Sequence, residues 1–134
     1  MSRTVLVSGA SKGIGRALAY RLAEQGHQVV GIARTGDGSF HGDLLTVDLA
    51  DRTTTSTALQ KISSRYRVDA VVNNVGLVCP HALEEVTLDA LDAVLDVNLR
   101  TAVQLTQACE PAMREVGWGR VGTAPFQSVP ALPR

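Results

Sequence analysis

Short stretches that are apolar almost without interruption constrain the fold of this chain most. They are Thr4 to Val7, Gln28 to Ala33, Leu44 to Leu49 and Val68 to Asn73. Continuous apolarity predicts strands that are buried on both faces, as in a parallel sheet. Helical patterns lie between them, from Ile14 to Gln25 and from about Thr54 to Tyr66. This alternation predicts an α/β domain built on a parallel sheet.

Two segments depart from the regular alternation. The connection from Arg34 to Asp43 contains three glycines, which disfavour a full helix, so we interpret it as a minimal crossover. Thr87 is a plausible N-cap for a long helical stretch that reaches about Val116, with possible breaks near Asn98 and Pro111. From Val94 onward its apolar residues cover more than one helical stripe, which predicts a second partner besides the sheet. That partner is either another subunit or protein that this chain does not contain.

Composition excludes several classes of function. The 134 residues fit one domain, and 13 basic side chains balance 13 acidic ones. A formal charge of zero gives no long-range field for nucleic acid or an anionic membrane. Cys79 and Cys109 have no Cys-x-x-Cys spacing, so neither a disulfide framework nor a metal site is expected. Because no apolar stretch reaches transmembrane length and no secretory leader is recognisable, we expect a cytoplasmic protein.

A glycine-rich loop joins the first strand to the first helix, with the sequence SGASKGIG from residue 8 to residue 15. Free backbone N–H groups and the positive end of a helix dipole make such a loop a site for phosphate. Gly9 would allow the tight turn, Gly13 the close approach of a diphosphate, and Gly15 the packing of the helix against the strand. The alternative is a tight structural turn that binds nothing.

Three motifs in order resemble the short-chain dehydrogenase/reductase family. They are the Gly-x-x-x-Gly-x-Gly spacing of the loop, Asn73-Asn74-Val75-Gly76 after the fourth strand, and Asp96-Val97-Asn98-Leu99 in the following helix. The resemblance extends to Val47-Asp48-Leu49 and to residues 117–121. It implies a Rossmann-like, doubly wound parallel sheet of about five strands, incomplete on its C-terminal side. A dinucleotide-binding domain would then span residues 1–121, and residues 122–134 would form an irregular, proline-rich tail.

The resemblance also implies a nicotinamide dinucleotide at the carboxyl ends of the strands. Asp48 and Leu49 would flank the adenine, and residues 74–76 would line the adenosine side of the cleft. The full set of expected cofactor-binding residues is Gly9, Ser11, Lys12, Gly13, Ile14, Gly15, Arg34, Asp48, Leu49, Asn74, Val75 and Gly76. Alternatives remain open, because Asp48 could cap the next helix and the two asparagines could mainly join neighbouring strand ends.

The end of the second strand bears on the choice of cofactor. NAD enzymes commonly carry an acidic residue ~20 residues after the glycines to accept the ribose hydroxyls. This chain has Arg34 there, which can pair with a 2′-phosphate, and Lys12 could add a second positive charge. NADP(H) is therefore favoured. The alternative is that Arg34 is a solvated cation and that Asp37 turns in to bind NAD.

The proton-transfer group of the family is not recognisable here. The resemblance implies hydride transfer between the nicotinamide and a carbonyl or alcohol, with a tyrosine whose pKa is lowered by a lysine four residues later. Neither Tyr20 nor Tyr66 has such a lysine, and Ser128 lies in proline-rich sequence. Only Asn98 matches a catalytic position, where it would support a water in the proton relay or act mainly as a helix-kink residue.

Two functions therefore remain open. The first is an NADP(H)-dependent oxidoreductase of carbonyl or alcohol substrates, represented here by its cofactor-binding portion and expected to be a truncated or frame-shifted family member. The second is a catalytically inactive dinucleotide-binding or interaction module, which pairs with a further copy through the helix from Val94 to Val116.

Overall fold

A computed structural model of the protein describes residues 1–124. The strands are β1 Thr4–Ser8, β2 Gln28–Ala33, β3 Asp43–Thr46, β4 Ala70–Asn73 and β5 Arg120–Thr123. The helices are α1 Gly13–Glu24, α2 Arg52–Arg65, α3 Leu88–Leu95 and α4 Thr101–Val116, with a short 3-10 turn at Leu83–Glu85. All strand pairs are parallel, and the sheet order is β3-β2-β1-β4-β5.

The sheet is covered on both faces, which confirms the doubly wound arrangement. Side chains of β1 alternate between the two layers: Leu6 packs in one core with α2 and α4, whereas Val5 and Val7 pack in the other with α1. Leu6, Val30 and Ile32 are completely buried. Burial of both faces explains why these strands are apolar at successive positions rather than at alternate ones.

The predicted elements are present with small shifts at their ends. The connection between β2 and β3 contains no helix, as the glycines of this segment indicated. Strand β3 ends at Thr46, three residues before the expected end at Leu49, and residues 47–49 instead enter the loop before α2. Strand β5 continues through Gly122 and Thr123, beyond the domain boundary expected at residue 121. The irregular tail expected over residues 122–134 is therefore wrong at Gly122 and Thr123, and its residues 125–134, including Ser128, lie outside the described residues.

The long helical stretch is interrupted once, by a π-helical turn at Asp96–Arg100. This confirms the break expected near Asn98, and Thr87 caps α3 by accepting a hydrogen bond from the amide of Ala90. The break considered at Pro111 is wrong, because α4 runs through it to Val116. Buried side chains on both sides of the proline, Cys109 and Met113, hold the helix against the sheet there.

The opposite side of this helical stretch is exposed. Leu95, Leu99, Val103 and Val116 are each about half accessible to solvent, although they are large and apolar. The second apolar face that the sequence indicated is therefore real, and no part of residues 1–124 covers it.

Neither a membrane-spanning helix nor a metal site is found within the described residues. Over residues 1–124 no helix is both long and apolar enough to cross a membrane. Within the same range no group of three or more His, Cys, Asp or Glu side chains is placed to hold a metal ion. Cys79 is exposed, whereas burial raises the pKa of the Cys109 thiol to about 11.

Candidate functional site

The strand order places a crevice at the carboxyl ends of β1 and β4. The chain leaves β1 toward β2 and β3 on one side, whereas β4 and β5 lie on the other. In open parallel sheets, ligands bind where the strand order reverses in this way. A cavity of about 380 Å³ occupies this place, and loops that follow β1, β2, β3 and β4 contribute to its wall.

Buried polar contacts join the two loops that flank the crevice. The hydroxyl of Ser8, at the end of β1, accepts hydrogen bonds from the amides of Asn74 (3.0 Å) and Val75 (3.1 Å). The side-chain amide of Asn74 donates to the carbonyl of Gly9 at 3.1 Å. Asn74 thus joins neighbouring strand ends, as one of the alternatives held, and at the same time lines the cavity.

The three glycines of the loop differ in their surroundings. Gly9 has a φ of +65°, and a Cβ there would lie 3.0 Å from the Asn74 amide nitrogen. At Gly15 a Cβ would lie 2.2 Å from the Gly9 carbonyl oxygen and 2.5 Å from the same Asn74 nitrogen. Gly15 is therefore required because the start of α1 packs directly against the backbone of the loop that follows β1. Gly13 has a φ of +53°, and no atom of the described chain lies within 4 Å of its Cβ position.

Helix α1 begins without a capping side chain. Its N-cap residue, Lys12, makes no side-chain hydrogen bond to the first turn. In contrast, Asp51 caps α2 by accepting from the amide of Thr54, and Thr87 caps α3. The amides at the start of α1 are left for a ligand or solvent, and together with the helix dipole they favour an anion.

Positive charge borders the crevice. Arg34 and Lys12 both line the cavity, and within residues 1–124 neither side chain has a hydrogen-bond or ion-pair partner. Asp37 is engaged elsewhere: its carboxylate accepts from the amide of Ser39 at 2.9 Å and from the Ser39 hydroxyl, which in turn accepts from Arg16. Those hydrogen bonds lower the pKa of Asp37, and its attraction to Arg16 adds to the effect.

The loop after β3 supplies another wall of the cavity. Asp48 is exposed and accepts a hydrogen bond from the amide of Ala50 at 3.0 Å, while Leu49 is buried. The proposal that Asp48 caps α2 is wrong, because Asp51 occupies that position and bonds the Thr54 amide at 2.7 Å. The Asp48 carboxylate remains at the rim of the cavity.

Asn98 holds the opposite wall in place. Its side chain accepts from the amide of Leu77 at 2.7 Å and donates to the carbonyl of Leu77 at 2.9 Å. Because Asn98 lies in the π-helical turn, this pair of hydrogen bonds fixes the loop after β4 against the interrupted helix. Asn98 does not line the cavity itself, but its neighbour Val97 and its partner Leu77 do.

The structure brings together most of the residues predicted for the site. Those that line the cavity are Gly9, Ser11, Lys12, Arg34, Asp48, Leu49, Asn74, Val75 and Gly76. Gly13, Ile14, Gly15 and Asn98 lie outside its lining. Of these, Gly15 is buried beneath the loop, and Ile14 is exposed on α1.

Several residues that shape the site were missed from the sequence. Thr35, Ala50, Leu77 and Val97 line the cavity, and each lies next to a predicted residue in the chain or within one of the quoted motifs. Ser8 is completely buried and joins the two loops. The available signal was a polar residue at the end of an otherwise apolar strand, since a buried hydroxyl needs hydrogen-bond partners.

The two tyrosines of the chain lie away from the cavity. Tyr20 is on the outer face of α1, where Glu24 raises its pKa. Tyr66 follows α2, and there burial and the carboxylate of Asp43 raise its pKa. Neither lines the cavity. Arg65, 5.2 Å from the centre of the Tyr66 ring, lowers the pKa of Tyr66 less than burial and Asp43 raise it.

Comparisons with known proteins agree with this fold. The sequence profile of a family described as short chain dehydrogenase matches residues 3–123. An NADPH-dependent pterin aldehyde reductase from Arabidopsis thaliana is 32% identical over 145 residues, which cover 92% of this chain and 60% of that protein. The chain therefore spans little more than half the length of such relatives.

Two solved structures share the fold. A short-chain dehydrogenase from Streptomyces avermitilis superposes with a TM-score of 0.84 and 31% identity, over 91% of this chain and 48% of that one. A protein from Beutenbergia cavernae, solved with NADP bound at low occupancy, gives a TM-score of 0.82 and 35% identity, over 90% of this chain and 53% of that one.

Proposed function

The chain belongs to the short-chain dehydrogenase family, whose members are oxidoreductases, and we propose that it binds NADP(H) in the crevice at the carboxyl ends of its strands. The observation that carries this proposal is the convergence on one cavity of the glycine loop, Arg34, Asp48 and residues 74–76. These residues come from four different strand ends. A structural turn alone would not need an uncapped helix, an open Gly13 and free cations beside it.

The residues present fit the parts of such a dinucleotide. The diphosphate would lie against the loop amides at the start of α1, where Gly13 leaves the approach open. Asp48 and Leu49 would hold the adenine end, and residues 74–76 the adenosine side of the cleft. When bound, the nicotinamide supplies or accepts a hydride.

A preference for NADP(H) over NAD(H) is supported by the charges. Arg34 and Lys12 face the cavity without partners in the described chain, so both are available to a 2′-phosphate. In the alternative, Asp37 binds a ribose; here Asp37 lies outside the cavity lining, and its Oδ1 accepts two hydrogen bonds from Ser39 that oppose a turn toward the crevice. The relative from Arabidopsis thaliana is NADPH-dependent, and the solved protein from Beutenbergia cavernae carries NADP.

The proposed reaction of a complete enzyme is hydride exchange with a carbonyl or alcohol substrate. In this chain Asn98 holds Leu77 and would support the proton relay. Neither tyrosine of residues 1–124 is a candidate for the group that gives or takes the proton, because both lie outside the cavity lining and neither is followed by a lysine four residues later. We therefore propose that this chain binds the cofactor and does not turn over substrate by itself.

A second candidate function is a dinucleotide-binding module that assembles with another copy. The observation that favours it is the exposed apolar face of Leu95, Leu99, Val103 and Val116. Exposed apolar surface on this scale is a common mark of an interface. Sedimentation analysis tests it, since a monomer at high concentration would contradict the self-association.

Titration with NADPH and NADH tests the cofactor proposal. Loss of one charge-assisted contact in Arg34→Ala should weaken NADPH binding about 10- to 100-fold and leave NADH binding nearly unchanged. Arg67→Ala is the matched control, because Arg67 is an exposed cation paired with Glu115 at the other end of the sheet. Equal affinity of the unmodified chain for NADH and NADPH would refute the preference. Turnover of a ketone or aldehyde by the pure chain would refute the proposed lack of catalysis.

A further inference from the structure

A nearly buried arginine joins two walls of the crevice. Arg100, at the end of the π-helical turn, donates from Nη2 to the carbonyl oxygen of Leu49 at 2.6 Å and to the Asp96 carboxylate at 2.8 Å. Its Nε donates to the other oxygen of the same carboxylate at 3.1 Å. The Arg100 side chain is only 16% exposed. We call these contacts the Arg100 clamp.

The clamp is also anchored from α2. Arg52, in the first turn of that helix, donates from Nε to the Asp96 carboxylate at 3.0 Å, and its Nη2 lies 2.8 Å from the same oxygen. Asp96 is thus shared between the π-helical turn and α2. A planar guanidinium can hold a carboxylate and a carbonyl oxygen at the same time in fixed directions, which an ammonium group does less well.

The contacts of the clamp continue to the far wall of the crevice. On one side Leu49, with its neighbours Asp48 and Ala50, lines the cavity. On the other side the π-helical turn contributes Val97 to the lining and, through Asn98, holds Leu77. Leu49 and Arg100 are 51 positions apart in the chain. Within residues 1–124 the Arg100 clamp is the polar connection between these two walls.

We propose that Arg100 is a positioning residue of the dinucleotide crevice, which fixes the adenine-side wall at Leu49 relative to the wall formed by the π-helical turn and Leu77. This inference rests on the proposed function of the crevice. π-helical turns are rare and energetically marginal, and they occur frequently at functional sites. A charged, nearly buried clamp across such a turn keeps it in the geometry that presents Asn98 to Leu77.

Arg100→Lys is the variant that tests the proposal, since it keeps the charge and removes the forked geometry. Two quantities are measured: the affinity for NADPH and the hydrogen-exchange rate of the Leu77 amide, which Asn98 protects. The variant should bind NADPH about tenfold more weakly, because a wall held by one charge-assisted hydrogen bond fewer has to be ordered when the ligand binds. The Leu77 amide should exchange at least fivefold faster because its segment opens locally more often, while amides of the central strand β1 keep their rates. Arg67→Lys, in an exposed ion pair, should change neither quantity.

The outcomes separate this inference from the proposed function. If the unmodified chain binds NADPH and Arg100→Lys binds it equally well with unchanged Leu77 exchange, the positioning role is refuted and the cofactor site stands. If Leu77 and the β1 amides accelerate by the same factor, Arg100 acts only on global stability and the inference is also refuted. If the unmodified chain binds no nicotinamide nucleotide, the proposed function fails directly. Asp96→Asn removes the negative charge that Arg100 binds and should likewise accelerate exchange of the Leu77 amide.

Discussion

Gly15→Ala provides the sharpest test of how the glycine loop is built. The added carbon would lie 2.2 Å from the Gly9 carbonyl oxygen and 2.5 Å from the side-chain nitrogen Nδ2 of Asn74. Both distances are well below the 3.4 Å at which ordinary contacts begin. Neither neighbour can move freely. The first is backbone, and the second donates a hydrogen bond to that same carbonyl.

The magnitude follows from these contacts. Overpacking of a well-packed interior costs about 1–3 kcal/mol, and a clash with backbone belongs at the upper end of that range. Breaking the Asn74 hydrogen bond would add about 1 kcal/mol. We therefore expect Gly15→Ala to lower the free energy of unfolding by about 3–4 kcal/mol, which for a domain of this size corresponds to a melting temperature lower by roughly 12 °C.

Thermal and urea denaturation, followed by far-ultraviolet circular dichroism, measure this effect. Gly26→Ala is the control, because Gly26 follows the same helix with a φ of +85° and no neighbouring atom within 4 Å. Gly26→Ala should lower the free energy of unfolding by only about 1–2 kcal/mol, the cost of an alanine in the left-handed conformation. A Gly15→Ala protein as stable as the Gly26→Ala protein would refute the packing argument.

Two further predictions concern the loop and the clamp. Gly13→Ala should cost about as much stability as Gly26→Ala, because both sites have positive φ and open space. Only Gly13→Ala should also weaken NADPH binding, by about tenfold or more, since the proposed function puts the diphosphate against Gly13; equal affinities by calorimetry would contradict this. Hydrogen bonds and attraction from Arg100 and Arg52 hold the pKa of Asp96 at about 2, below the unfolded value of about 3.9. The resulting stabilisation is complete above about pH 4 and is lost as the pH falls toward 2. Urea denaturation should therefore show Asp96→Asn less stable than the unmodified chain near neutral pH and about equally stable near pH 2, and a difference that does not narrow on acidification would argue against the clamp.

The site residues that could be predicted from the sequence are those that directly follow a strand. In a parallel sheet the carboxyl ends of all strands lie at the same edge. Residues such as Arg34, which follows β2, and Asn74, which follows β4, were therefore expected to lie near the glycine loop, and they share one cavity. The parallel sheet was predicted from apolar patterning, which depends mainly on local burial. Its Rossmann-like form was implied by the family resemblance, and the minimal crossover after β2 was inferred from the three glycines of that segment.

Contacts between distant segments could not be predicted in this way. Ser8 bonds amides 66 and 67 positions away, and no period or spacing in the sequence indicates such partners. No pattern in the sequence singles out Arg100, because its contact with the Leu49 carbonyl depends on how the π-helical turn is placed against the loop before α2. The continuity of α4 through Pro111 was missed because tertiary packing of Cys109 and Met113 overrides the helix-breaking tendency of proline.

Cofactor binding and proton transfer make different physical demands, and under the proposed function this chain meets only the first. Binding a dinucleotide requires backbone amides, open space and a few cations at one sheet edge, all of which the fold supplies through its connectivity. Proton transfer near neutral pH requires a side chain whose pKa is brought toward that range by a nearby charge. At Tyr20 the Glu24 carboxylate raises the pKa, and at Tyr66 burial and the Asp43 carboxylate raise it more than Arg65 lowers it. Binding without turnover is therefore the outcome expected for this chain, and a measured NADPH affinity together with no ketone reduction would agree with both halves of the argument.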